Sequence, residues 1–175
     1  MFRFLGLVIS ILLVFSLIAV GQDNPKAEIF GGYQYTRINP GQGLHGDNLN
    51  GWNASVSGYF NKHLGISGDF SGIYGSPFGV SLHVYPYMFG PIVRFPNSSK
   101  ITPFAHALFG AAHISASAGG STSDNSFAMA FGGGLDANIN SRFAVRLAQA
   151  DYLHTQLFDS TQHNFRYSAG IVIKF

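Results

Sequence analysis

The chain ends with the stretch His163-Asn-Phe-Arg-Tyr-Ser-Ala-Gly-Ile-Val-Ile-Lys-Phe175. Successive side chains of a β-strand point to opposite faces. Every second residue from Phe165 to Phe175 is apolar or aromatic, whereas the residues between them are mostly small or polar. This alternation predicts a long strand that has one apolar face and ends on the aromatic residue Phe175.

The composition favours strands and disfavours a water-exposed surface. Of the 175 residues, 46% are hydrophobic and only 10% are charged, against about 25% charged in an average soluble domain. The 17 Phe, 8 Tyr and 22 Gly suit strands and bends better than helices. The formal charge of +2 comes from scattered residues, so we expect no nucleic-acid partner.

The chain has no cysteine, which excludes disulfides, zinc–thiolate sites, thiol nucleophiles and a lipid-modified cysteine. At the N-terminus, Arg3 precedes an apolar run from Leu5 to Ala19, and small residues precede Gln22. This pattern predicts a cleavable signal peptide over residues 1–21 and a mature chain of residues 22–175. A retained membrane anchor is the alternative, because the run approaches the length of a short spanning helix.

Beyond residue 21, no apolar run approaches the roughly 20 residues of a spanning helix. In lipid, a chain without such helices must close its backbone hydrogen bonds within a β-barrel. The expected strands cover residues 26–37, 51–60, 64–74, 80–95, 101–114, 126–139, 142–154 and 163–175. The fold class is therefore all-β, with an eight-stranded antiparallel up-and-down transmembrane β-barrel.

Short turns alternate with longer polar segments along this pattern, as in outer-membrane barrels. The turns are expected at residues 61–63, 96–100 and 140–141, and the loops at residues 39–50, 75–79, 115–125 and 155–162. An even number of strands places both termini on the periplasmic side and the longer loops outside. A soluble eight-stranded barrel with an oily interior is the alternative. The polar faces consist largely of Ser, Gly, Ala and Asn, which suits a narrow lumen better than a solvated exterior.

Two strands depart from simple alternation. Strand four contains Pro86 and Pro91, which are awkward in a fully paired strand, so we expect a bend or bulge there and leave its facing open. In strand seven, strict alternation would place Gln149 and Asp151 on the same face as the preceding apolar residues. Because a charge does not belong in lipid, we predict a bulge near Ala148 that shifts the alternation by one.

The chain resembles the small OmpA-like and OmpX-like eight-stranded outer-membrane β-barrel proteins. The resemblance is carried by Glu28-Ile-Phe-Gly-Gly-Tyr-Gln-Tyr35, Phe89-Gly-Pro91, Arg146-Leu-Ala-Gln-Ala-Asp-Tyr152 and the terminal Phe175. It implies a monomer in the bacterial outer membrane, surrounded by lipid and lipopolysaccharide, whose C-terminal strand is read by the assembly machinery. No peptidoglycan-binding domain follows Phe175, so we expect no anchoring role of that kind.

Several charged residues are expected to point into the lumen, namely Glu28, Asp69, Asp136, Arg146, Asp151, Arg166 and Lys174. An eight-stranded barrel is just wide enough for side chains to fill, and unpaired buried charge is costly. We therefore expect ion pairs, with Asp136 beside Arg146 and Glu28 near Lys174. A gated path for small ions is the alternative. The small residues Gly132-Gly-Gly134 fit a crowded lumen.

The histidines do not form a recognisable metal site. His83 and His106 lie within strands and could face the lumen, and His45, His154 and His163 lie in or beside outer loops. A metal site needs three or four converging ligands, and the sequence places no more than two close together. We therefore expect no metal and no cofactor.

His113-Ile-Ser115 places a histidine and a serine on one strand face near the outer rim. In this respect it resembles the outer-membrane lipid A deacylases, which are also small eight-stranded barrels. Such a pair lacks specificity without a third, orienting group. Asp124 and Asp151 are candidates for that group, and Glu28 lies at the opposite end of the barrel.

The sequence therefore predicts a structural protein of the outer membrane with exposed polar loops. We assign no catalytic, cofactor-binding or metal-ligating residue and do not expect an enzyme. The alternatives are a narrow pore, a surface adhesion or ligand-binding barrel and, third, a lipid A deacylase.

Overall fold

The computed structural model describes residues 26–38, 47–76, 81–117, 121–157 and 160–175. Within them, eight antiparallel strands pair in sequence order, and β8 pairs with β1 to close a barrel. The strands are β1 Ala27–Ile38, β2 Asp47–Tyr59, β3 Leu64–Gly75, β4 Ser81–Arg94, β5 Ile101–Ser117, β6 Ser121–Asn138, β7 Phe143–Leu157 and β8 Ser160–Lys174. No helix in this part of the chain is long and apolar enough to cross a membrane. The predicted all-β, eight-stranded fold is confirmed.

The strands extend further than predicted at the end of the barrel remote from the termini. β2 begins at Asp47. Of the expected loop at 115–125, all but residues 118–120 belong to β5 and β6. Between β7 and β8, only residues 158–159 lie outside a strand. The predicted loops at 39–50, 115–125 and 155–162 were therefore too long. Their Ser, Thr and Asn content is compatible with paired strands, because the backbone makes the ladder bonds whatever the side chains are.

The expected facing of the strands is confirmed, and the structure settles that of β4. Val84, Met88 and Arg94 of β4 are buried in the lumen, whereas Tyr85 and Phe89 are exposed on the outside. On the other strands the outward apolar residues include Trp52, Phe70, Phe109, Phe131, Leu147, Phe165, Tyr167 and Ile171. This exposed band is the surface that a barrel presents to lipid.

Of the bend or bulge expected at the prolines of β4, the strand register excludes the bulge. Pro86 is matched with Ala112 of β5 and Pro91 with Ile66 of β3. The register between β4 and each neighbour is the same before and after both prolines. Each strand residue donates its N–H to only one neighbour, so a proline removes one ladder bond without forcing a shift.

The bulge predicted in β7 is confirmed. The register of β7 shifts between Arg146 and Gln149 where it pairs with β8, and it also shifts where it pairs with β6. Leu147 and Ala148 are both exposed on the outside, and Gln149 and Asp151 are buried inside. The extra residue thus keeps the Asp151 carboxylate out of the lipid.

The first and last strands meet closely. Gly32 lies directly opposite Gly170, and a Cβ on either one would collide with the backbone of the other strand. At the end of this seam, the Phe175 amide donates to the Ala27 carbonyl at 2.9 Å, and the Lys26 amide donates to the Phe175 carbonyl at 2.8 Å. The backbone of Phe175 therefore belongs to the ladder that closes the barrel.

The lumen has two zones. The polar zone, in the middle and towards the termini, comprises Glu28, Asn53, Asp69, Arg94, His106, Asp136, Arg146, Gln149, Asp151 and Arg166, all buried. The apolar zone, towards the opposite end, comprises Leu49, Ile73, Val84, Met88, Leu108, Ala112, Ile114, Ala128, Ala130 and Leu153.

Candidate functional site

At the end of the polar zone nearest the termini, charges pair across the lumen. Arg94 of β4 donates from Nη1 to Glu28 Oε1 of β1 at 2.8 Å. The Tyr59 hydroxyl donates to the other oxygen of Glu28 at 2.8 Å, and the Arg94 guanidinium lies 3.8 Å from the centre of the Tyr59 ring. Because the facing of β4 was left open, the sequence did not identify Arg94 as a lumenal charge.

The expected pairing of Glu28 with Lys174 was wrong. The two residues lie opposite each other in the β1–β8 ladder, but the ion pair that Glu28 makes in the described structure is with Arg94. Lys174 Nζ instead donates to the side-chain oxygen of Asn138. The Arg94 guanidinium reaches Glu28 from the far side of the lumen and offers five N–H donors in a planar arrangement. The Lys174 ammonium, at the end of its strand, is a single point charge with fewer donors.

The predicted pair of Asp136 and Arg146 is confirmed. Arg146 Nε donates to Asp136 Oδ1 at 2.8 Å, and Nη2 donates to Oδ2 at 3.1 Å. The guanidinium also contacts two aromatic rings, with centroid distances of 4.3 Å to Phe30 and 4.1 Å to Phe104. Its remaining nitrogen, Nη1, donates to Gln149 Oε1 at 2.8 Å. This geometry satisfies a buried arginine on all sides.

Arg166 is the centre of the polar zone. Its side chain is fully buried, and it bridges two carboxylates: Nη1 donates to Asp69 Oδ1 and Nε to Asp151 Oδ2, each at 2.7 Å. These contacts join β8 to β3 and β7. The sequence predicted all three residues as lumenal charges but could not show that one arginine connects them.

Two amides and a histidine complete the contacts of the carboxylates at this centre. Asp151 accepts from Gln149 Nε2 at 2.8 Å, and His106 Nε2 lies 2.8 Å from its other oxygen. Asp69 accepts from Asn53 Nδ2 at 2.9 Å. A Cβ on Gly132 would collide with the Asp151 carboxylate, which explains the glycine at that position.

The remaining histidines are dispersed. His106 is in the polar zone, whereas His83 faces outward, with its ring centroid 5.4 Å from that of Tyr74. His45 and the side chain of His163 lie outside the described residues. Among the residues that the structure does describe, no three potential ligands converge on a metal position.

His113 and Ser115 lie on the outward face of β5. Ser115 Oγ is 3.4 Å from His113 Nε2, and His113 Nδ1 is 2.9 Å from Asn125 Oδ1 on β6. Asp151 is in the lumen, on the other side of the barrel wall, so it does not orient His113. The side chain of Asp124 is not described, and its backbone pairs with Ile114 rather than His113. The group that contacts His113 is Asn125, which sequence reasoning missed.

A closed eight-stranded barrel with an apolar exterior and a filled lumen defines an integral membrane β-barrel. The family model described as "Outer membrane protein beta-barrel domain" matches residues 7–175. The chain belongs to this family and is a protein of the bacterial outer membrane. The comparison with curated protein sequences returns no match.

Solved structures of other outer-membrane barrels are similar in fold. Neisserial surface protein A is 15% identical, with a TM-score of 0.75 over 86% of this chain and 97% of that one. Ail, the attachment invasion locus protein of Yersinia pestis, is 25% identical, with a TM-score of 0.62 over 85% and 99%. The N-terminal barrel of Pseudomonas aeruginosa OprF is 12% identical, with a TM-score of 0.57 over 86% and 98%.

Proposed function

We propose that this protein is a sealed structural barrel that supports the integrity of the outer membrane and displays short polar connections at the cell surface. The observation that carries the proposal is the filling of the lumen by two successive zones. The polar zone holds its arginines in ion pairs, and the residues of the apolar zone are at most 8% exposed. This role needs no cofactor, no metal and no catalytic centre in the lumen.

The filled lumen argues against the alternative of a narrow pore. An ion that enters from the end near the termini meets Arg94, Arg146 and Arg166, each held by a carboxylate. Beyond them it meets the apolar zone, whose own side chains offer no polar group to replace the hydration of an ion. Conduction would require both zones to open together.

The alternative of adhesion has support from one relative, because Ail is named for attachment and invasion and has been solved with the heparin analogue sucrose octasulfate. Binding of such a polyanion needs clustered cations. In this chain, the four segments at the corresponding end, residues 38–50, 75–82, 114–125 and 154–163, contain no Lys or Arg. Arg37 is exposed beside the first of these segments but is a single cation, so the charge pattern provides no cluster for a polyanion at that end.

The partners follow from the outer wall and the seam. The exposed aromatic band contacts outer-membrane lipid, including lipopolysaccharide in the outer leaflet. The barrel has no free sheet edge in the described strands, which favours a monomer. The C-terminal strand is the segment that the assembly machinery would read.

Residues 1–21 act as the signal peptide, and N-terminal sequencing of the mature protein should begin at Gln22.

Complementation tests the structural role. Cells that lack the protein should leak a periplasmic enzyme and become sensitive to detergent, and the wild-type chain should restore both properties. A variant that lacks residues 118–120 should restore them equally, because it shortens the connection between β5 and β6 without removing a strand. No leakage in the deleted strain, or rescue by the full-length chain alone, would contradict a role that rests on the barrel itself.

A further inference from the structure

The three turns at the end of the barrel near the termini share a sequence pattern. They are Phe-Asn-Lys-His-Leu at 60–64, Phe-Pro-Asn-Ser-Ser-Lys-Ile at 95–101 and Ile-Asn-Ser-Arg-Phe at 139–143. Each turn begins and ends with an apolar residue, has an asparagine near its start and contains one Lys or Arg, namely Lys62, Lys100 or Arg142. None of them contains Asp or Glu. The pattern therefore places one cation between apolar neighbours three times around this end of the barrel.

The asparagine of each turn fixes the local backbone. In every case its side-chain oxygen accepts a hydrogen bond from the backbone N–H two residues later. The pairs, each at 2.8 Å, are Asn61 with His63, Asn97 with Ser99 and Asn140 with Arg142. Such a bond defines an Asx-turn, in which the side chain takes the place of a backbone carbonyl. The three turns therefore have the same internal support.

The backbone carbonyl of each cation is also bonded to the barrel wall. The carbonyl of Lys62 accepts from Arg94 Nε at 3.0 Å, that of Lys100 from the Asn138 amide at 2.7 Å, and that of Arg142 from the Lys174 amide at 2.8 Å. The side chains of the three cations, in contrast, are exposed. None of the ion pairs within the described residues involves them. Each charge thus extends into solvent from a fixed point of the backbone.

The two ends of the barrel differ in the sign of their surface charge. Glu28 and Asp136, the acidic side chains near the three turns in the described residues, are buried and held by arginines. They therefore do not offset the exposed cations. At the opposite end, residues 38–50, 75–82, 114–125 and 154–163 contain no Lys or Arg, and they contain the acids Asp47, Asp124 and Asp159.

Exposed apolar side chains beside the cations mark the edge of the apolar membrane layer. They are Phe60, Leu64, Phe95, Ile139 and Phe143. The most exposed of them, Phe60 at 71% and Ile139 at 67%, come directly after the ends of β2 and β6. Apolar side chains at this level enter the acyl region, whereas Lys and Arg extend towards the head groups. A dissolved anion would gain nothing from the apolar neighbours, but a phospholipid offers an acyl chain and a phosphate together.

We propose that Lys62, Lys100 and Arg142 each bind the phosphate of an anionic phospholipid in the periplasmic leaflet of the outer membrane. The orientation, with the termini in the periplasm, rests on the proposed function, and the lipid sites go beyond it. Neighbouring turns of this set are two strands apart, which is about 12 Å around the barrel for strands about 4.8 Å apart and tilted by about 40°. Each cation therefore meets its own head group.

The charge of the head group decides which lipid binds. A zwitterionic lipid carries the same phosphate, but its ammonium group offsets the negative charge. A lysine or arginine with no acid beside it should therefore prefer phosphatidylglycerol to phosphatidylcholine. One cation near an anionic membrane surface corresponds to a preference of about fivefold.

Photocrosslinking in vesicles measures this preference at each turn separately. The purified full chain is reconstituted with equal amounts of phosphatidylglycerol and phosphatidylcholine that carry a photoreactive group near the glycerol, and peptide mass spectrometry locates the adducts. Phosphatidylglycerol adducts should exceed phosphatidylcholine adducts about fivefold at each turn, and less at high salt because exposed charges are screened. Equal yields of the two lipids at all three turns of the wild type would overturn the proposal without recourse to any variant.

Single substitutions test whether the cations cause the preference. Lys100→Gln should bring the two yields to parity at residues 95–101 and leave the other two turns unchanged, whereas Lys100→Arg should keep the preference. Arg37→Gln is the matched control, because it removes one exposed cation at the opposite end of the barrel and should change none of the three ratios. An unchanged ratio at residues 95–101 in Lys100→Gln, or an equal fall in Arg37→Gln, would contradict the assignment.

Two measurements separate the lipid from other anions. Sodium phosphate should lower the ratios no more than sodium chloride of the same ionic strength, and a larger effect would replace the lipid by free phosphate and overturn the proposal. The wild type in detergent should not sediment with purified peptidoglycan. Sedimentation that requires the three cations, combined with equal crosslinking of the two lipids, would assign the turns to peptidoglycan instead.

The side of the membrane can be tested with a single thiol. The chain has no cysteine, so Lys100→Cys provides one unique reactive group. A maleimide that does not cross the outer membrane should modify it only after the membrane has been permeabilised. Modification in intact cells would overturn the periplasmic assignment. Loss of the lipid preference alone would overturn the lipid sites and leave the sealed lumen of the proposed function untouched.

Discussion

Replacing Arg166 with Met should destabilise the barrel more than any other single change in the lumen. The substitution keeps most of the side-chain volume but removes both donors that reach Asp69 and Asp151 at 2.7 Å. Each carboxylate is 1% exposed and cannot turn to water. Breaking a buried ion pair by removing one partner costs about 3–5 kcal/mol, because the other charge stays buried.

The remaining contacts of the two carboxylates place an upper bound on this cost. Asp151 retains His106 and Gln149, and Asp69 retains Asn53. The two carboxylates therefore keep some of their hydrogen bonds. We expect the loss of stability to stay within the range for one broken ion pair, not twice that range.

Urea-induced unfolding in lipid vesicles, followed through the fluorescence of Trp52, measures the loss. Arg142→Met is the matched control, because Arg142 is exposed in the turn before β7 and should change the stability by less than about 0.5 kcal/mol. Adding Asp69→Asn and Asp151→Asn to Arg166→Met should restore most of the lost stability, since no charge is left unpaired. A cost for Arg166→Met as small as that of the control would refute this account of the lumen.

Three further predictions concern packing, the bulge and the seam. Gly132→Ala should cost about 1–3 kcal/mol through collision with Asp151, whereas Gly58→Ala, which meets open space, should be neutral in the same unfolding assay. Deleting Ala148 should still give the heat-modifiable band of a folded barrel in gel electrophoresis, because it removes only the bulge residue. Deleting Ser168 from β8, which has no bulge, should abolish that band. Phe175→Ala should slow assembly but leave stability within about 1 kcal/mol, because the backbone bonds of residue 175 persist; unchanged assembly with lower stability would contradict this.

The strand pattern could be predicted because the two sides of the wall have opposite chemistry. Phe165 to Phe175 alternates cleanly, and the misplaced parity of Asp151 was enough to locate the bulge near Ala148. On the outward face of β4, Pro91 stands among aromatic residues, and on the inward face Pro86 and Gly90 interrupt the apolar residues. Its facing, and with it the role of Arg94, became clear only from the pairing of neighbouring strands.

The partners within the lumen depend on the stagger of the strands, which the sequence does not state. The pair of Asp136 and Arg146 joins two strands across a short turn, so it could be predicted. Contacts such as Arg166 with Asp69 cross the barrel between strands far apart in sequence. Asn125 was missed for a related reason: its segment is rich in Ser, Thr and Gly and was predicted as a loop, although it is a strand in register with His113.

The recording of single-channel currents across a planar lipid bilayer containing the purified protein tests the sealed lumen most directly. The ion pairs of the polar zone and the packed apolar zone predict a flat trace without discrete openings at either polarity. Reproducible unitary current steps from the wild-type barrel would contradict the proposal that its lumen is closed.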